Sequence, residues 1–495
     1  MGQTPLKEPV EPDAVASPDD DVRKKLQVSS WARFRPLVMR LHFYAGVFVA
    51  PFILTAAVTG LLYALTAQTD NVVNRHELTV AQVGEHRLPL ADQIAAVRSA
   101  HPGSTIQKIR PPAAPNETTR VTLHVQEVSS HHARTVFVDP YSGEIRGMLT
   151  TNGEWMPLRV WFAQFHRSLH LGAIGRNYSE LAASWLWVIA GAGLLLWIGQ
   201  CSRTGRLERL FVPDRRARGR RGLSSWHGCL GVWIIAALLL LSVSGMTWSR
   251  YAGAHVTEIR SHLAWSKPLV DTTLRGVKPE TGAGGTGRGS GTPHHGGGAV
   301  AGFDEAQALR GADNALRAAH DAHLSNPILM YPPSGPGRGW EVAENKRDWP
   351  TRYDAISVDP DSGAVIARVN FADWPLMAKL ADWIVRAHTG TLFGVVNQIL
   401  LVAVALALIT VILLGYRMWW HRRPTRSAGF VLPNGPRRGA LSALRPYEAA
   451  LVIIALAVFG YFAPLFGLSL IVFVAVDVVL GWWKTRLTVS RRSAP

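Results

Sequence analysis

Cysteine is nearly absent: Cys201 and Cys229 are the only two in 495 residues. No disulfide framework can staple any long segment, so the fold must rest on packing. Charge is also scarce. Asp, Glu, Lys and Arg make up 18% of the chain, against roughly 25% in soluble domains. No Gly-x-Gly-x-x-Gly loop, Walker motif or Cys-x-x-Cys pair stands where a strand–helix unit would use it. The chain therefore has no flavin or nicotinamide domain of its own. No apolar h-region precedes the first long apolar run. Residues 1–34, with Pro5, Pro9, Pro12, Pro18 and the Asp19–Asp21 run, read as a disordered cytoplasmic tail and not as a signal peptide. Leu6 stands where myristoylation needs Ser or Thr. Inside the apolar runs acids are missing too, with Asp477 the one clear exception.

What the chain has is long apolar runs, 48% of it being hydrophobic. Four runs reach the length of about 20 residues that a bilayer span needs: Pro36–Leu65, Ser184–Gln200, Ser225–Ser249 and Gly394–Trp420. They define spans at 35–66, 184–201, 224–249 and 394–420. A fifth stretch, Ala449–Trp483, is too long for one helix, and Pro464 near its middle would break it. It is expected to be a helical hairpin at 446–483, giving six helices. The net charge of +17 is concentrated in Arg203–Arg221, Arg417–Arg426 and Lys484–Arg492. These clusters adjoin the spans, so the positive-inside rule accounts for them better than nucleic-acid binding. The expected topology is a bacterial inner-membrane protein with both termini cytoplasmic. The loops 202–223 and 421–445 and the tail 484–495 lie inside; 67–183 and 250–393 lie outside.

Two of the spans open on the same pattern. Leu41-His42-x-x-x-Gly46 leads into a run ending Val58-Thr59-Gly60. Trp226-His227-x-x-x-Gly231 leads into one ending Val243-Ser244-Gly245. In both, the terminal Gly follows the His by 18 residues. An ionisable side chain in a span is costly and marks function by default. The outer segments repeat as well. Phe137-Val138-Asp139-Pro140-x-Ser142-Gly143 matches Ser357-Val358-Asp359-Pro360-x-Ser362-Gly363, a tight turn between strands. In the first half a helix is expected at Leu90–His101, with strands at Thr105–Ile109, Arg120–Gln126 and Thr135–Val138. In the second, a helix is expected at Phe303–His320 and a strand at Arg352–Val358. Then His166 and His388 each stand six residues before a Gly, Gly172 and Gly394. His170 has no counterpart. A Gly-rich insertion, Thr281–Gly298, carries His294 and His295 and reads as a linker. The expected fold is a membrane α-helical bundle: four core helices in two parallel repeats, a C-terminal helical hairpin, and two small extracytoplasmic α+β domains.

These motifs, in this order and duplicated, resemble the PepSY-associated transmembrane proteins over roughly residues 35–425. The resemblance rests on Arg40-x-His42-x-x-x-Gly46, the terminal Thr-Gly, the Val-Asp-Pro-x-Ser-Gly turn and the His-x5-Gly before each returning span. The hairpin and the Gly-rich insertion lie outside that pattern. Members of the family include haem-containing inner-membrane reductases of ferric siderophores. The resemblance implies PepSY-like outer domains, haem b held by membrane histidines, and electrons delivered to an external ferric siderophore or similar chelate.

Two axial imidazoles make a six-coordinate electron-transfer haem. His42 and His227 fall at one depth near the cytoplasmic face, His166 and His388 at another near the external face. That offers two haems, one above the other. His170, four residues from His166, is a competing ligand, and His421 another. Each of these histidines is otherwise an interfacial or packing residue. Arg40 and Arg167, beside ligand histidines, suit haem propionates; an interface anchor is the alternative reading of Arg40. Gly46, Gly60, Gly231 and Gly245 would admit a porphyrin face or a neighbouring helix. Trp155, Trp161, Trp185, Trp374, Trp383, Trp419 and Trp420 are expected in the interfacial belts. With no cofactor domain, the donor must be a quinol or a cytoplasmic reductase. Two other functions are open: a metal or metal-chelate transporter, and a sensor or regulator without redox activity.

Overall fold

The structure is a computed structural model describing residues 30–124, 132–274, 309, 311–422, 436, 441 and 444–492. Among them, five helices are long and apolar enough to cross a membrane. Most of 1–34, the Gly-rich insertion with His294 and His295, and most of the 421–445 loop lie outside the described residues. The first helix starts at Ser30, inside the expected tail.

The first span is two helices, α1 (Ser30–Phe48) and α2 (Ala50–Val73). Expected as one run at 35–66, it breaks at Val49 because Pro51 has no N–H to give the carbonyl of Val47. The hydroxyl of Tyr416 donates to that carbonyl instead, at 2.9 Å. The second span belongs to α5 (Gly172–Arg203) and the third to α6 (Gly219–Thr247); both start before the expected 184 and 224. The fourth, α10 (Gly394–Trp420), matches its expected bounds. Helices α2, α5, α6 and α10 pack in a closed ring, each on the next, with α1 against α5. Pro464 divides the terminal stretch into α11 (Pro446–Phe462) and α12 (Pro464–Arg492), as expected. The hairpin lies outside the ring against α5. Trp185 of α5 donates to the Ser469 hydroxyl at 2.9 Å, and Arg40 meets Asp477 at 2.8 Å.

Before the second span comes α4 (Pro157–Ser168), and before the fourth α9 (Leu376–His388). The α4 N-terminus is capped from α2: Asp70 accepts the amides of Leu158 at 3.2 Å and Arg159 at 2.8 Å. Glu180 of α5, fully buried, likewise caps α7 (Ala252–His262), accepting from Tyr251 and Ala252 at 3.0 Å. These two acids close helix ends.

Each half also contributes a helix and a four-stranded meander. In the first these are α3 (Leu90–Ala100), β1 (Thr105–Arg110), β2 (Thr119–His124), β3 (Ala133–Val138) and β4 (Ile145–Thr151). In the second they are α8 (Ala312–Asp321), β5 (Ile328–Tyr331), β6 (Trp340–Glu344), β7 (Ala355–Val358) and β8 (Val365–Val369). The meanders do not stay separate. β1 pairs antiparallel with β5, Ile109 opposite Met330, and one eight-stranded sheet results, in the order β4-β3-β2-β1-β5-β6-β7-β8. Two meanders apart would each expose another edge of unpaired backbone; joining them removes both. Alternation along the strands sends Ile109, Val121, Val136, Met330, Val342 and Ile356 to one face, where they form a core with Leu90, Ile94 and Ala315 of the two helices. Both repeated turns are held alike. Asp139 accepts the amides of Tyr141 and Ser142, and Asp359 those of Asp361 and Ser362. Gly143 (φ +76°) and Gly363 (φ +70°) supply the left-handed residue.

Candidate functional site: two histidine pairs in the bundle

The structure brings His42 and His227 together. Their ring centroids are 6.1 Å apart, with planes at 81°. It also brings His166 and His388 together, centroids 6.4 Å apart, planes at 60°. The second pair lies towards the sheet, the first at the opposite end of the ring. Each pair takes one imidazole from each repeat.

What holds each ring is repeated too. His42 Nδ1 lies 3.0 Å from the carbonyl oxygen of Ile189, and His227 Nδ1 2.9 Å from that of Val411. Ile189 and Val411 sit at the same distance, 17 residues, from the Gly that opens α5 or α10. A carbonyl can only accept, so Nδ1 carries the proton in both rings. In the pair nearer the sheet the partners are hydroxyls. Thr59 Oγ1 is 2.9 Å from His166 Nδ1, and Ser244 Oγ is 2.5 Å from His388 Nδ1. Thr59 gives its proton to the carbonyl of Thr55 at 2.8 Å, and Ser244 to that of Leu240 at 2.7 Å. With its proton so placed, each hydroxyl turns a lone pair to its histidine, which assigns the proton there to Nδ1 as well. On that assignment all four imidazoles keep an unprotonated Nε2, the nitrogen that binds a metal when the other is so engaged.

The repeated spacing of the glycines gains a reason. A Cβ on Gly60 would come within 3.1 Å of His166, and one on Gly245 within 3.9 Å of His388. On Gly193 it would come within 2.9 Å of His42, and on Gly415 within 3.5 Å of His227. Gly46 and Gly231 have nothing within 4 Å of that position. They are not helix-packing glycines; they face a cavity of about 740 Å³ that reaches both His42 and His227. Small-molecule and cofactor sites run to about 300–1,000 Å³. Ile53, Leu186, Val232, Leu238 and Leu408 give the cavity apolar walls, and Arg35, Arg220, Arg221 and Arg422 also line it.

The expected pair does not line this cavity. Arg40 faces Asp477 and the ring of Tyr44, and Arg167 is exposed on α4. His170 does not join His166, because α4 ends at Ser168 and Leu169 turns left-handed (φ +50°). His170 is exposed and packs on Trp161 at 4.7 Å. His421 caps the end of α10, exposed. Sequence reasoning passed over Thr59 and Ser244 as bracing groups, although both stand in the repeated Thr-Gly and Ser-Gly; it had no means to see Ile189 and Val411, which act through backbone carbonyls. No group of three or more His, Cys, Asp or Glu side chains suited to a metal ion occurs among the described residues. A metal between either pair would have two protein ligands and must bring the rest with it.

A family model, the PepSY-associated TM region, matches residues 39–422. The chain belongs to that family. This PepSY-associated protein is therefore a membrane protein, and the matched region runs from just before His42 to just after His421, enclosing both histidine pairs and the sheet. The hairpin α11–α12 of this family member falls outside the match. No curated protein matches the chain.

Proposed function

We propose that the protein carries electrons across the bacterial inner membrane through two haem b groups, and reduces a ferric chelate outside. The observation that carries this reading is the spacing of the paired imidazoles. Metal–imidazole bonds are about 2.0–2.1 Å, so two rings that shared one metal would have centroids up to about 6 Å apart. Both pairs stand at that spacing, with Nδ1 engaged elsewhere and Nε2 available. The residues fit haem for further reasons. Two protein ligands are all that a porphyrin-bound iron requires, and Gly46 and Gly231 open flat space beside the first pair. Arg35, Arg220, Arg221 and Arg422 are placed to receive propionates. Haem b ligated by two histidines supplies a one-electron Fe(III)/Fe(II) couple.

On this reading His42 and His227 hold the group on the cytoplasmic side, beside the basic loop, where a quinol or a cytoplasmic reductase donates. His166 and His388 hold the one on the outer side, under the sheet. Fixing Nδ1–H keeps each ring's orientation and tautomer constant. A metal-transport reading has less support: the buried Asp70 and Glu180 are occupied as helix caps. A sensor without redox activity would not need four imidazoles presented in this way.

The test is an optical spectrum of protein purified from haem-replete cells, oxidised and dithionite-reduced. The expected result is a b-type spectrum with two haems per chain, reoxidised by a ferric chelate. Protein that contains no haem would sink the proposal.

A further inference from the structure

The face of the sheet opposite its apolar core carries arginine. Strand alternation puts Lys108 and Arg110 of β1, Arg120 of β2 and Tyr331 of β5 on that face. All stand on strands next to the β1–β5 seam, where the two repeats meet. Glu154 lies against them: Lys108 bonds to it, and Arg110 approaches to 3.6 Å and also reaches Glu117 at 3.4 Å. Arg347 completes the group from the other repeat, stacked 5.0 Å over Trp155. Arg159 also stacks on Trp155, at 3.9 Å, and donates to the carbonyl of Thr389, the residue after His388, at 2.6 Å. The arginine layer is thus linked through one indole and one guanidinium to the histidine pair below it.

The layer is not balanced. Lys108, Arg110, Arg120 and Arg347 face Glu117 and Glu154; Lys267 nearby stands among Glu341, Asp382 and Arg386. Arg120 is half-buried over the ring of Phe137. Its guanidinium makes no hydrogen bond or ion pair among the described residues, and its Nε is buried without a partner. Such a group is expensive unless something pairs with it. The electrostatics agree. Burial, with Arg110 and Arg347 nearby, pulls the Arg120 guanidinium down to about 10. Burial alone would raise Glu154, yet Lys108, Arg110, Arg347 and Arg120 hold it at about 2.

We propose that this layer binds the anionic ligand shell of the external acceptor, so that the chelate received carries net negative charge, as carboxylate or catecholate complexes do. The inference rests on the reading of the protein as an outward electron carrier, and it names the substrate class of that site. Guanidinium groups pair with such oxygens by charge-assisted, bidentate hydrogen bonds. Arg120 and Arg347, one from each repeat, are the two anchors, and Glu154 is the internal counter-ion that an incoming anion partly displaces.

Gallium(III) chelates separate binding from electron transfer, because gallium is not reduced. Binding of trianionic gallium tris-catecholate and of a neutral gallium tris-hydroxamate to the full-length haem-loaded protein would be followed by calorimetry. The catecholate should bind more tightly, and more weakly as salt rises. R120Q and R347Q should each weaken it about tenfold, with the hydroxamate unchanged. E154Q should act in the opposite direction and strengthen it, a sign that damage to the fold would not produce. Equal affinity for the two chelates overturns the proposal. So does equal loss of both in the variants, and so does displacement of the catecholate by inorganic phosphate or phosphatidylglycerol at matching concentration, which would mark a general anion or lipid-headgroup site. If the gallium complex binds as expected but the ferric complex fails to reoxidise the reduced protein, the site stands and the reductase reading fails.

Discussion

The two histidine pairs are alike in spacing and unlike in support. His42 and His227 lean on backbone carbonyls beside a cavity of about 740 Å³. His166 and His388 lean on the hydroxyls of Thr59 and Ser244. The carbonyls fix the proton on Nδ1, and the hydroxyls suit the same tautomer when they give their own proton to the helix backbone. A carbonyl brace cannot be altered by side-chain substitution, whereas a hydroxyl brace rests on one oxygen atom and can be tuned. The pair under the sheet is therefore the adjustable one, and the pair at the other end is set by the helix backbone.

The largest expected effect comes from removing a ligand. His227→Ala should abolish one haem of the two, and His388→Ala the other, each leaving its neighbour's spectrum intact. Haem quantification together with the reduced spectrum checks this; loss of both haems in either variant would break the claim of two independent sites. Next in size is filling the cavity. Gly231→Leu adds a side chain where nothing lies within 4 Å, so the empty bundle should keep its thermal stability while the His42–His227 site loses its haem. Gly193→Ala, by contrast, meets His42 at 2.9 Å and should move the ring. A drop in the stability of Gly231→Leu with haem retained would mean that the glycine packs helices after all.

Smaller is the effect of the hydroxyls. Removing the group that orients a metal-bound histidine typically costs about 10–100-fold in affinity. Ser244→Ala and Thr59→Val should weaken haem retention by that order at the His166–His388 site alone, with a shifted midpoint potential there and an unchanged one at the other. Redox titration resolves the two. Equal shifts at both sites would erase the distinction between tuned and fixed pairs.

Much of this architecture was legible because it is duplicated. His42 and His227, or Asp139 and Asp359, report the same spacing twice, and the apolar run Gly394–Trp420 carries its own limits: Gly394 before it, Trp419-Trp420 and Arg422 after. The illegible parts have physical causes. β5, β6 and β8 are four or five residues long and are stabilised by their neighbours, so no local period announces them. The β1–β5 seam depends on two edges separated by some 220 residues of sequence. Arg220, Arg221 and Arg422 looked like topology signals, and the fold places them, with Arg35, along the cavity. Arg40 looked like a propionate partner, and Asp477, the one acid noticed in the apolar runs, takes it.

The smallest effect tests why the end with the cavity is built as it is. Pro51 breaks the first span and leaves the Val47 carbonyl without its helical donor. Tyr416, which lines the cavity, satisfies that carbonyl from α10 at 2.9 Å. The kink that carries His42 is thus tied to the helix whose Val411 carbonyl orients His227. Tyr416→Phe should cost about 1 kcal/mol, the usual net value of such a bond, read as a lower thermal midpoint with the His166–His388 spectrum untouched. The same substitution made together with Pro51→Ala is the sharper experiment. Alanine restores an N–H that can bond to Val47, so Tyr416→Phe should then cost close to nothing. If it costs the same in both backgrounds, the tyrosine acts through cavity packing, and the hydrogen bond does not couple the two histidine-bearing helices.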